Sequence, residues 1–186
     1  MNFFEFHYET ARRSQILMKD GTQVVYAAVA IVNELHEWIE AGEKNMPDLH
    51  LNHEAGDVLF YVSMMMHDCN IDPEEFVDAV RGWVMAVEDD DPKLATLGEL
   101  SEQATHLNIS EALNVLGRLC DAAKKIVRDQ DGVAVDPHRS NLITCLADVF
   151  GILALHTADM DQVGRLCLEK VSNKVWDDEL PKKWGG

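Results

Sequence analysis

The sequence predicts an all-α protein. Apolar residues recur with helical periodicity along most of the 186 residues, strand signals are scarce, and only five prolines interrupt the pattern. Hydrophobic residues make up 47% of the chain, enough for a substantial core. No apolar run reaches the roughly 18 residues that a membrane span needs. The opening "MNFFEFHYETARR" lacks a basic segment followed by an apolar one. The expected location is therefore the cytoplasm, away from membranes.

The helices follow in order. The first is predicted over Phe3–Met18, closed by "KDGT". The second runs from Gln23 to Ala41 and stops at Gly42. "GEKNMPDLHLN" reads as a loop, with Asn52 as the N-cap of a third helix that opens "HEAGDVLFYVSMMM". "NIDPEEF" starts a fourth, with Pro73 in its first turn. The acidic run "EDDDP" marks an internal boundary, dividing the chain into halves 1–90 and 91–186.

Beyond that boundary the pattern restarts. "NVLGRLCDAAKKI" aligns with "AIVNELHEWIEAG", placing Arg118 over Glu34 and Asp121 over Glu37. "CLADVFGIL" aligns with "EAGDVLFYV", placing Cys145 over Glu54 and Asp148 over Asp57. The expectation is a bundle of two related halves, the second having lost part of its acidic set. "GELSE" is read as an exposed first helix of that second half.

With 16 basic against 33 acidic residues, the net charge is -17. No Lys/Arg cluster is present to displace phosphate counterions, which argues against a nucleic-acid polymer as partner. A small anionic ligand remains compatible if a metal reverses the field locally. Cys69, Cys120, Cys145 and Cys167 form no CxxC pair and read as buried free thiols.

The chemistry concentrates on four carboxylates. Glu34 and Glu37 lie about 60° apart on a helical wheel and border the stripe of Ile31, Leu35 and Trp38. Glu54 and Asp57, three apart, lie on the side followed by Tyr61 and Met64. Four acids leaning toward one interface would repel one another, and burial raises the cost. A hard divalent cation resolves that conflict: Mg²⁺ takes carboxylate oxygens, keeps waters and recruits phosphates, and Mn²⁺ can take the same ligands. The HxxH spacing of His50 and His53 would suit zinc, but the adjacent acids favour the harder ion. A di-iron bundle would need Glu-x-x-His motifs, and no histidine has a glutamate three residues before it.

"NELHE", followed by "EAGDVLFYV" seventeen residues after Glu37, resembles the EExxE…ExxD signature of the MazG-like all-α nucleotide pyrophosphohydrolase superfamily. The resemblance covers roughly residues 3–85. It implies a Mg²⁺-dependent enzyme that cleaves a nucleoside triphosphate to the monophosphate and pyrophosphate. It further implies Glu34, Glu37, Glu54 and Asp57 as metal ligands and a glutamate, Glu37, that activates water. Asn33 stands where the family's first acid would be. Lys170, Arg81 and Lys44 are the candidate phosphate-binding cations, and Trp38, Phe60 and Tyr61 the candidate base-stacking rings, although aromatics at helical spacing usually pack in the core. A homodimer is compatible with the same pattern. The competing expectation is a degenerate member that binds a nucleotide or a protein without turnover.

Overall fold

The computed structural model describes residues 1–14, 23–82, 92–104, 109–130, 133–157 and 159–173. Among them the regular structure is helical: α1 (Phe3–Ser14), α2 (Gln23–Glu43), α3 (Asp48–Asp68), α4 (Pro73–Arg81), α5 (Leu97–Gln103), α6 (Ala112–Gln130), α7 (His138–His156) and α8 (Met160–Asn173). Two short 3₁₀ turns, Pro92–Leu94 and Ile109–Glu111, precede α5 and α6. No single helix among the described residues is long and apolar enough to cross a membrane. The end of the predicted first helix, beyond Ser14, and most of the "EDDDP" boundary lie outside the described residues.

Local chemistry sets the helix ends. α2 and α3 both finish at an asparagine in the left-handed region, Asn45 (φ 52°) and Asn70 (φ 50°). The next amide then reaches back five residues, Met46 N–H to the Ala41 carbonyl at 3.0 Å and Ile71 N–H to that of Met66 at 2.8 Å. Asparagine tolerates this conformation better than most residues, so it closes the last turn at low cost. Asp72 and Glu75 form a capping box ahead of Pro73, and Thr96 and Glu99 form another at the start of α5.

Two expectations need correction here. Asn52 does not cap α3: the helix begins at Asp48, directly after Pro47, whose fixed φ of -57° leads into it without a side-chain cap. Asn52 lies one turn inside, buried, and donates to Gln162 Oε1 at 2.9 Å. The α5 segment is not simply exposed, because its short amphipathic turn buries Leu97 and Leu100 completely.

The packing falls into two corresponding sets. α2 lies along α3, and α6 along α7. The following helices are exchanged: α4 packs on α7, and α8 on α3. α1 touches α3, α8 and α4, while α5 touches α7, α4 and α8. α2 and α6 join the sets. At the start of α1 and α5 the backbone bonds are reciprocal, Phe3 N–H to the Ala95 carbonyl and Leu97 N–H to that of Met1, both 2.9 Å.

Aromatic packing ties the sets together. Phe3 stacks on Phe76 at 5.0 Å, and Phe76 meets Phe150 edge-on at 6.0 Å, linking α1, α4 and α7. Each fully buried ring stabilises the fold by roughly 1.5–3 kcal/mol relative to exposure. A polar exception lies between α1 and α3. Buried His7 meets the Ser63 hydroxyl through Nδ1 at 2.8 Å, and Thr10 shares that hydroxyl at 2.5 Å. Burial, helped by the charge of nearby His67 and opposed by Asp72, pushes the His7 imidazole down to about 4.

Gly56 lies at a close approach of two helices. A β-carbon there would stand 3.2 Å from Cys167 Cβ and 3.5 Å from the Val163 carbonyl oxygen. Its absence lets α8 lie close against α3, which sets the position of Lys170 one turn beyond Cys167. Cys69, Cys145 and Cys167 are buried free thiols as expected, but Cys120 is exposed, on the outward face of α6.

Candidate metal centre

The burial of Ile31, Leu35 and Trp38 turns Glu34 on α2 toward α3, where Ala55, Val58 and Leu59 supply the matching apolar face. Across that contact α3 presents Glu54 and Asp57 on one side of its second and third turns. One oxygen from each of Glu34, Glu54 and Asp57 lies within 4.8 Å of the others, and all three side chains are half-buried. Burial pushes the Glu34 carboxyl up to about 7, reinforced by the charges of Asp57, Glu37 and Glu54 and opposed by Lys170. Like charges forced together in a partly dry cleft are poorly compensated by protein alone. Oxygen-only ligands at this spacing suit a hard cation such as Mg²⁺ or Mn²⁺.

A lysine from α8 reaches the acids. Lys170 on α8 donates to Asp57 Oδ2. Burial works against its ammonium group, but that bond and the charges of Asp57, Glu54 and Glu34 outweigh it and hold Lys170 above the usual lysine range. His50, one turn before Glu54, reaches its carboxylate at 3.5 Å.

The remaining predicted site residues are spread wider. Glu37 is exposed and accepts a 2.7 Å hydrogen bond from Asn33 Nδ2, one turn beyond Glu34 and outside the group of three. Lys44 pairs with Glu40 at 2.8 Å at the end of α2. Arg81 is on α4, the helix that packs on α7, and donates to Gln103 at 2.8 Å. Trp38 is a core residue, 4% exposed, with its ring 6.0 Å from that of His156. Phe60 is likewise buried, its ring edge-on to Tyr61.

Tyr61 borders the acids. Burial, a hydrogen bond to Tyr26 and the charges of Glu34 and Asp57 push its hydroxyl well above the usual tyrosine range. Tyr26, with its ring 6.0 Å from that of Tyr61, is a neighbour that sequence reasoning missed. Its signal was available: it lies eight residues before Glu34, two turns along α2 on a neighbouring face.

The aligned residues of the second set also meet. Arg118 on α6 donates from Nη2 to Asp148 Oδ2 on α7 at 2.5 Å. Burial pushes the adjacent Cys145 thiol up to about 11, against the effect of Arg118. Asp121 is bound by Lys124 at 2.8 Å and Lys125 at 2.6 Å. Here a guanidinium lies against the aspartate where the first set brings three acids together. Comparison with protein families, curated proteins and solved structures finds no match for this chain.

Proposed function

We propose that the chain is a divalent-metal-dependent nucleoside triphosphate pyrophosphohydrolase with a MazG-like helical bundle of two tandem halves, acting in the cytoplasm. The observation that carries this reading is the convergence of Glu34, Glu54 and Asp57 from two helices, with Lys170 reaching them from a third. Glu34, Glu54 and Asp57 would hold Mg²⁺, or Mn²⁺, with Glu37 available from the next turn of α2. When bound, the metal polarises the triphosphate and acidifies water.

The chain's own residues then divide the work. Glu37, exposed and oriented by Asn33, accepts the proton of a water that attacks the α-phosphorus. The bond from the α-phosphorus to its bridging oxygen breaks, and pyrophosphate leaves. Lys170, once released from Asp57, turns its ammonium group to the leaving pyrophosphate. Tyr61 and Tyr26, whose rings meet edge-on at 6.0 Å, would offer the base a ring edge. Trp38 and Phe60 support the helix pair from within the core.

A nucleotide panel tests the proposal. With Mg²⁺, at least one nucleoside triphosphate should give monophosphate and pyrophosphate in equal amounts. Glu54→Gln and Asp57→Asn should lose this release by more than about 100-fold while keeping their helicity. The second reading, a protein that binds nucleotide without turnover, draws on the exposed position of Glu37 outside the group of three. That reading expects binding but no release with any base.

A further inference from the structure

The cleft between α6 and α7 brings cations together in a strongly acidic chain. Arg118, Lys125, His138, Asn141 and Thr144 line one hollow together with Asp121 and Cys145. It adjoins a second hollow, between α4 and α7, through Thr144; Asp148, Asp78 and Gly82 line that side. Of the charged residues that line the first hollow, Arg118 and Lys125 are cations and Asp121 is the acid, while Asp148, which Arg118 binds, lines the second hollow. In a chain with twice as many acids as bases, a hollow with more cations than acids is a local reversal of sign.

Its donors are underused. Arg118 is 46% exposed and bonds Asp148 through one terminal nitrogen, although the guanidinium carries five N–H groups in a planar fork. The Lys125 ammonium bonds one oxygen of Asp121 and is 37% exposed, so it too keeps donors for a ligand. Arg118 spans the cleft from α6 to α7, and Lys125 follows two turns along the same face of α6. Two cations separated in this way match an anion that carries charge on two linked groups better than a single compact anion. A guanidinium fork binds phosphate oxygens in pairs, and lysine adds a point charge.

We propose that the α6–α7 cleft binds a phosphoanhydride anion directly, without a metal, on Arg118 and Lys125, with His138 and Asn141 at its rim. In the α2–α3 cleft an ion must stand between acids and phosphates, whereas here the cation is part of the chain. The proposal does not depend on hydrolysis in the other cleft.

Calorimetric titration of the full chain with pyrophosphate, in EDTA at low salt, tests it. One saturable site is expected, weakening steeply as salt screens the charges. Lys125→Gln should lower affinity about 10-fold, as expected for loss of a charge-assisted bond. Arg118→Gln should lower it at least as much, and Arg118→Lys, which keeps the charge but loses the fork, should fall between. Lys125 is exposed, so its variant keeps the test meaningful even if Arg118→Gln folds poorly. Arg165→Gln, which removes an exposed cation on α8 paired with Asp159, should leave the affinity within about 2-fold of wild type. A nucleoside triphosphate that binds more tightly than pyrophosphate would assign the anion to a nucleotide, and equal affinity would assign it to free pyrophosphate. Absence of saturable binding, binding indifferent to Lys125 and Arg118, or orthophosphate binding as tightly as pyrophosphate would each overturn the proposal. Because the metal is chelated throughout, a failure here is distinct from a failure of the hydrolytic reading.

Discussion

Lys170 of α8 donates to the carboxylate of Asp57 on α3, so a cation from one half of the sequence neutralises an acid of the other. This ion pair competes with any metal for the same oxygen. Lys170→Met should therefore tighten Mg²⁺ binding by about 5-fold, the equivalent of roughly 1 kcal/mol for a partly exposed pair. It should also lower pyrophosphate release, since the leaving group loses its ammonium partner. Isothermal titration and steady-state kinetics on one preparation would show the opposite signs.

Glu34→Gln removes a carboxyl that its neighbours push up to about 7. The metal-free variant should be more stable than the metal-free wild type, with a higher melting temperature at pH 8, because like-charge repulsion is relieved. Addition of Mg²⁺ should raise the wild-type melting temperature and leave that of the variant nearly unchanged. Thermal scans with and without the ion read both effects.

His7 gives a pH dependence of known sign. Its folded imidazole protonates near 4, whereas in the unfolded chain it protonates near 6.5. Between those values the unfolded state binds more protons, so stability rises with pH across the window and is lost as pH falls through it. The contribution is about 3 kcal/mol between pH 7 and pH 4. Urea midpoints at pH 4.5 and pH 7 should differ less in His7→Gln than in the wild type.

Gly56→Val would drive side-chain carbon into Cys167 and the backbone of α8. The expected loss is about 1–3 kcal/mol, the usual range for overpacking, offset in small part by a better helix former. Because α8 must move outward, the variant should also lose the Lys170–Asp57 pair, visible as a lysine ammonium resonance that shifts and broadens as its protons exchange faster with water.

Much of this arrangement was legible in the residues. Asp72, Pro73 and Glu75 mark the start of α4 through chemistry local to four residues, and the structure has the capping box there. Glu34, Glu54 and Asp57 could be expected to meet because helical spacing placed each beside an apolar stripe. The beginning of α3 was not legible, since Pro47 reads equally well as a loop residue or as the entry to a helix. The exchange of α4 and α8 between α7 and α3 depends on which apolar faces fit, and periodicity within one helix does not encode its partner. Tyr26 was overlooked because an aromatic at helical spacing is ordinarily core, yet it is 42% exposed beside Tyr61.

Binding of Mn²⁺, followed by the loss of its free-ion electron paramagnetic signal, tests most directly whether Glu34, Glu54 and Asp57 form a cation site. The wild type should take up the ion saturably and release it to excess Mg²⁺. Glu54→Gln and Asp57→Asn should abolish that uptake, while Asp148→Asn, in the cleft already neutralised by Arg118, should retain it. Uptake unchanged in Asp57→Asn, or absent from the wild type, would contradict the account.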